Sequence, residues 1–236
     1  MSFLNAEWRK LALANYCIDA SVLKEHVPFG TELDLRAGKC YISLVGFMFK
    51  NTKLLGVKVP FHINFEEVNL RFYVKQKIDN EWRRGVVFIK EIVPKLMLTF
   101  VAYTVYNKHY ETLSMKHSWK EKNEQQIVNY AWKKNAAWQS LEVITELKAK
   151  EIPEGSETEF ITEHYWGYAF LNTKKSNEYE VTHPRWKAYP VIDYTINVDF
   201  GITYGEQFAF MNELEPVSVM LAEGSEITVE NKSVLE

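Results

Sequence analysis

The feature that most constrains how this chain folds is the recurrence, along its whole length, of aromatic and β-branched runs bounded by turn residues. The run FEEVNLRFYV, Phe65 to Val74, is the plainest case. In an extended chain Glu67, Asn69, Arg71 and Tyr73 take one face, and Val68, Leu70, Phe72 and Val74 take the other. That polar row either lines a cavity or faces solvent. The same reasoning predicts strands over Trp8 to Ile18, Lys39 to Lys50, Val59 to Val74, Gly85 to Val93, Ile127 to Lys134, Trp138 to Leu147, Tyr179 to His183, Trp186 to Asn197 and around Ile227 to Val229. Helices are fewer. Asp19 caps Ala20 to His26, which ends at Val27-Pro28, and the apolar spacing predicts helices over Glu157 to Tyr168 and Gly205 to Asn212. The fold class is mainly β with flanking helices (α+β).

A chain of 236 residues suits one core or two fused halves. Lys148 to Thr158, with Pro153 and Gly155, is the one linker-like segment and reads as a loop between halves that share a core, so residues 1–236 are expected to form a single domain. The net charge of -3 supplies no general attraction to nucleic acid or anionic lipid. Cys17 and Cys40 form no CxxC pattern, Met1 to Glu7 lacks a basic stretch followed by an apolar run, and no apolar run approaches the roughly 20 residues of a membrane helix. These features predict a cytoplasmic protein with two free thiols, no membrane segment and no nucleic-acid partner.

The segment GVVFIKEIVPKLML, Gly85 to Leu98, places charges among apolar residues. Alternation sets Val87, Ile89, Glu91 and Val93 on one face and Val86, Phe88, Lys90 and Ile92 on the other. Gln76 to Arg84 reads as a hairpin loop pairing this strand with Phe65 to Val74. Pro94 ends the strand at Val93 and opens a helix whose stripe is Leu96, Phe100, Val101, Tyr103 and Val105. Lys95 then falls in the first helical turn, where the exposed amides oppose an ammonium; desolvated there, it becomes a reactive amine, and in water it is an ordinary rim lysine. Lys90 reads as an outward lysine.

Other chemistries find no pattern. No two of His26, His62, His109, His117, His164 and His183 have the spacing of metal ligands on one strand or helix face, so no metal is expected. GxSxG and the phosphate and dinucleotide loops are absent. Ser43 is a core or pocket-wall hydroxyl. In TEHYWGY, Glu163, His164, Tyr165 and Trp166 either close one end of a pocket or divide into core aromatics and solvated helix residues; His183, before Pro184 and Trp186, reads as structural.

Taken together, ANYCIDASVLKEHVPFGTELD, GKCYISLVGFMF, FEEVNLRFYV with GVVFIKEIVP, ETEFITEHYWGY, VTHPRW and EPVSVMLAEGS resemble the YqjF-like family of uncharacterised bacterial proteins, related to acetoacetate decarboxylase, from about Trp8 to about Glu230. The resemblance implies a cone- or bowl-shaped β-barrel around a central pocket, with helices outside. It also implies cofactor-independent Schiff-base chemistry of lyase or decarboxylase type, with Lys95 as the amine and Glu91 as proton donor or acceptor. Arg71 itself reads either as the neighbouring cation and substrate-binding anion anchor or as a strand arginine in a structural ion pair with Glu67 or Glu91. The decarboxylase has a lysine pair after its proline, whereas Lys95 precedes Leu96, and the Glu-to-Pro spacing is shorter here. Two functions therefore stand side by side: a pocket for a small carbonyl- or carboxylate-bearing molecule with amine chemistry at Lys95, or a binding or interaction protein that keeps the fold without it. Either accommodates a homo-oligomer.

Overall fold

The computed structural model describes residues 2–95 and 110–236. Its strands are β1 (Leu4–Ile18), β2 (Glu32–Leu33), β3 (Cys40–Leu54), β4 (Phe65–Ile78), β5 (Glu81–Val93), β6 (Tyr110–Thr112), β7 (Met115–Lys122), β8 (Gln125–Lys134), β9 (Ala137–Glu146), β10 (Lys150–Glu151), β11 (Trp166–Asn172), β12 (Lys175–Thr182), β13 (Lys187–Tyr189), β14 (Val191–Asn197), β15 (Ser218–Val229) and β16 (Ser233–Leu235). Short helices cover Glu157–Thr162 and Phe200–Tyr204, and 3-10 turns cover Ala20–His26 and Glu206–Glu213. No helix among the described residues is long and apolar enough to cross a membrane.

The larger sheet runs β15-β1-β3-β4-β5-β11-β12, and β12 returns to β15 through Val181↔Val229 and Thr182↔Thr228, so the sheet closes partly into a ring. A separate sheet, β14-β9-β8-β7, packs outside it. Val68, Leu70, Phe72 and Val74 of β4 share one buried cluster with Tyr130, Trp132, Leu141 and Val143 of that second sheet and with Phe200 and Phe208. The apolar face of β4 thus looks outward into this layer. Its polar face looks into the ring.

Several hairpins follow from local chemistry. Asp79-Asn80, Asn123-Glu124 and Asn135-Ala136 all have positive φ, the two-residue turn geometry whose twist matches paired strands. At helix starts, the Asp19 side chain accepts from the Ser21 amide and Ser156 Oγ accepts from the Glu159 amide, as capping requires.

Several stretches depart from the sequence-based expectation. The loop expected over Gln76 to Arg84 shrinks to Asp79-Asn80, because β4 and β5 stay paired as far as Ile78 and Glu81. The helix expected to reach Tyr168 stops at Thr162, because Trp166 onward pairs in parallel with β5, Trp166 facing Gly85. The run Trp186 to Asn197 is split at Pro190, which lacks an amide hydrogen, into β13 in the ring sheet and β14 in the outer one. The strand β7, MKHSWKEK, carries too little apolar patterning to be read as one; it is the outer edge of the second sheet, where lysines protect an open edge. At the end of β5, Pro94 is a bend and Lys95 has no regular structure. The expected stripe of Leu96, Phe100, Val101, Tyr103 and Val105 lies outside the described residues, as does His109.

Candidate functional site

The inward face of β4 opens onto a cavity of about 200 Å3. Its walls are mainly aromatic. Trp8 meets Phe47 edge-on at 5.4 Å and Trp186 at 6.3 Å, while Phe49 stacks on Phe65 at 4.6 Å. Into this apolar shell the polar row projects: Glu67, Asn69 and Arg71 all line the cavity, and they are 3%, 1% and 7% exposed. Asn69 Nδ2 donates to Glu67 Oε1 at 3.0 Å.

Glu91 reaches the same cavity by a route that strict alternation does not give. Leu70 pairs with Lys90 but Arg71 pairs with Phe88, so Ile89 is an extra residue in β5. That bulge reverses the facing of everything beyond it, and Val86 and Phe88 before it and Glu91 and Val93 after it all line the cavity. A second bulge in β1, where Arg9 pairs with Met48 and Ala12 with Gly46 and Lys10 takes φ 53°, does the same for Trp8 and Leu11. Tyr110, brought alongside by parallel pairing of β6 with β5, donates from its hydroxyl to Glu91 Oε1 at 2.7 Å.

Arg71 is the distinctive group. No hydrogen bond or ion pair to it forms among the described residues, and its Nε is buried without a partner. The guanidinium carbon sits 5.8 Å from the Tyr73 ring. Buried polar atoms are almost always paired, so unpaired ones that gather in one place call for an explanation. Here Trp8 Nε1, Thr52 Oγ1, Asn69 Oδ1, Arg71 Nε and His164 Nδ1 all belong to residues lining this one cavity.

His164 and His183 were the residues least legible from sequence. His164 follows the Glu157–Thr162 helix, is 7% exposed, and places Nε2 3.3 Å from Asp34 Oδ2, which also accepts from Arg84 Nε at 2.6 Å. Burial raises the Asp34 carboxyl, but the hydrogen bonds from His164 and Arg84 outweigh it and hold that group below its usual range. Burial pushes His164 down to about 4, with the Asp34 contact opposing and the Arg84 and Arg71 charges reinforcing. His183, just past β12, stacks on Trp186 at 4.2 Å; burial lowers it too, and Arg71 adds to the effect. Signals existed in TEHYWGY and VTHPRW, yet neither run says that two histidines far apart in the chain converge on one cavity.

These shifts fix a pH dependence. Between pH about 6.5 and about 4 an unfolded chain protonates His164 while the folded chain does not, so the unfolded state binds more protons and stability falls as pH falls through that window. The loss is about 3 kcal/mol at one pKa unit per 1.4 kcal/mol. In denaturant titrations at pH 7 and pH 4.5, wild type is expected to lose more stability than His164→Gln by an amount of that order; equal losses in the two chains would show that His164 is not buried neutral.

Lys95 lies elsewhere. It is half-buried, is not among the residues lining the cavity, and donates from Nζ to the carbonyl oxygen of Phe61, itself 86% exposed. Its charge acts on Glu66, which neighbours the inward Glu67 and binds His117 Nδ1 at 2.6 Å. Lys90 is held by Glu111 Oε2 at 3.2 Å and the Thr203 carbonyl. Ser43 is buried between Asn15 Oδ1 and the Tyr73 hydroxyl, and Cys17 and Cys40 are free. Among the described residues no three His, Cys, Asp or Glu side chains assemble as a metal site.

Comparison with solved structures shows the same fold at low identity. Acetoacetate decarboxylase from Legionella pneumophila superposes with a TM-score of 0.66 at 10% identity, over 99% of this chain and 87% of its own. An acetoacetate decarboxylase-like enzyme from Sphingomonas wittichii RW1 gives 0.67 at 11% identity, over 100% and 94%. The enduracididine biosynthesis enzyme MppR, solved with pyruvate, gives 0.68 at 11% identity, over 100% and 91%. Among curated proteins, the uncharacterised YqjF of Bacillus subtilis is 30% identical over 129 residues, 54% of this chain and 50% of that protein, so the match spans about half the length of that relative. Residues 5–226 match the family DUF2071, described as an uncharacterised conserved protein. With that match running through the ring, the cavity and the bulged strands alike, the chain belongs to the DUF2071 family.

Proposed function

We propose that this protein binds a small organic molecule bearing a carboxylate or a comparably polarised carbonyl in the cavity of the ring, with Arg71 as the anion anchor. The observation that carries this is an arginine 7% exposed, with no anionic or hydrogen-bonding partner among the described residues, lining an aromatic-walled cavity. A buried charge without a partner is costly, and a ligand carboxylate supplies both the charge and the fork geometry that a guanidinium matches. The fold is shared with a protein solved in complex with pyruvate, a small keto carboxylate, which accords with this reading. Two free thiols accord with a cytoplasmic setting.

Of the two functions open from the sequence, binding without imine formation is the better supported. A Schiff-base lysine needs its amine in a water-excluded pocket beside the carbonyl it attacks. Lys95 instead gives its amine to the Phe61 carbonyl and takes no place in the cavity wall. Borohydride reduction in the presence of acetoacetate or pyruvate is therefore expected to leave the intact mass unchanged. A reduced adduct that maps to Lys95 would restore the lyase reading, with Glu91 as its proton donor or acceptor.

A further inference from the structure

We infer that the cavity carries a second recognition pole, formed by His164 Nδ1 and His183 Nε2, which accepts a hydrogen bond from a ligand hydroxyl, so that the preferred ligand is a hydroxy acid with an apolar or aromatic body. This rests on the anion-pocket reading above and narrows it to a chemical class.

Both imidazoles have their hydrogen assigned by their partners. The Pro184 carbonyl oxygen, 2.9 Å from His183 Nδ1, can only accept, so Nδ1 carries the hydrogen and Nε2 is left as a bare acceptor. Asp34 is a carboxylate that accepts, so His164 Nε2 carries the hydrogen and Nδ1 is the acceptor. That Nδ1 is buried with no partner, and the side chain it belongs to is 1% exposed and lines the cavity. Both rings are held in place. Tyr73 at 4.7 Å and Phe160 at 5.3 Å flank His164, and Trp186 at 4.2 Å and Tyr165 at 4.6 Å flank His183.

Arg71 acts on both rings and opposes their protonation, and a cation and two neutral imidazoles line the one cavity. A carboxylate satisfies the cation but offers nothing to the acceptors. A keto oxygen beside the carboxylate would face lone pairs with a lone pair. A hydroxyl there donates its single hydrogen to one of them, the unpartnered His164 Nδ1, and the Trp8, Phe47, Phe88 and Trp186 surfaces take the apolar remainder.

Calorimetry with three matched probes tests this: 3-phenyllactate, 3-phenylpropionate and phenylpyruvate at pH 7. Phenyllactate is expected to bind about tenfold tighter than either of the others, the worth of one buried acceptor gaining its donor. His164→Phe should bring phenyllactate down to the affinity of phenylpropionate. Equal affinity of phenyllactate and phenylpropionate for the wild type overturns the inference and leaves the anion pocket standing. Binding by none of the three, or affinities unmoved by Arg71→Met, removes the anion pocket and this inference with it. Nitrogen-15 NMR of histidine-labelled wild type reads the same point without a substitution. The unprotonated Nδ1 signal of His164 should shift with phenyllactate and stay put with phenylpropionate; an Nδ1 that already bears a hydrogen sinks the proposal.

Discussion

An Arg71→Met chain is expected to lose about 10- to 100-fold in affinity for carboxylate ligands while melting within a few degrees of the wild type. The affinity loss follows from one charge-assisted, two-pronged contact in a low-dielectric cavity, about 1.5 to 3 kcal/mol, where each 1.4 kcal/mol is tenfold. The stability expectation follows from what is not lost: no hydrogen bond or ion pair to Arg71 exists among the described residues, and the contact with the Tyr73 ring is a distant 5.8 Å. An arginine with a structural role behaves differently. Removing one partner of a buried ion pair costs about 3 to 5 kcal/mol, which in a chain of this size lowers the melting temperature by about 10 °C. Calorimetric titration and thermal melts on the same preparation therefore separate the two roles. A large drop in melting temperature with unchanged binding would make Arg71 a structural residue and leave the cavity without its anchor.

Gly224→Ala is expected to destabilise the fold by about 3 kcal/mol or more, or to abolish it. Gly224 lies in β15 opposite Arg9, with φ +79°, where an L side chain costs about 1 to 2 kcal/mol before any contact is made. An added Cβ would also stand 2.0 Å from the Trp8 carbonyl oxygen and 2.8 Å from Leu11 Cδ1. The first clash is with backbone, so no rotamer relieves it, and overpacking of this kind adds about 1 to 3 kcal/mol. Trp8 and Leu11 both line the cavity, so whatever shift accommodates the methyl group also reshapes the ligand site. Gly38→Ala isolates the steric part. That glycine has φ +75°, nearly the same, but nothing within 4 Å of the added carbon. Urea denaturation should show Gly224→Ala to be the more costly by at least about 1 kcal/mol; equal losses would mean that backbone conformation alone, and not the tight approach of β15 to β1, demands the glycine.

The legible part of this protein was whatever repeats with a short period. Glu67, Asn69 and Arg71 are read onto one face of β4 by alternation alone, and they share one cavity wall. Whether that face met ligand or solvent was not legible, because it depends on which side of β4 the second sheet covers. Glu91 shows the limit more sharply. A count of two along β5 sets it opposite Phe88, and only the extra residue at Ile89, visible as a register shift against β4, turns both onto the cavity. Nothing in the local run GVVFIKEIV marks a bulge, since its cause is the pairing of two strands in a curved ring. Lys95 stands out in the sequence for its place after a proline, but its surroundings, the Phe61 carbonyl and the Glu66 carboxylate, come from residues some thirty positions earlier. His164 reads locally as a pocket-end or solvated helix residue and His183 as a structural one, because nothing in either short run shows that both rings are buried against one cavity.

By itself, the sequence determined the sheet-dominated class, the hairpin turns and the polar row on β4, since all of these express backbone sterics and side-chain alternation acting within a few residues. Tertiary structure alone decided that the row is walled in by aromatics from β1, β3 and β5, that Asp34 assigns the hydrogen on His164, and that Arg71 forms no ion pair among the described residues. The reason is physical: burial and pairing belong to the space between strands distant in the chain, and no short-range pattern encodes what stands on the far side of a cavity.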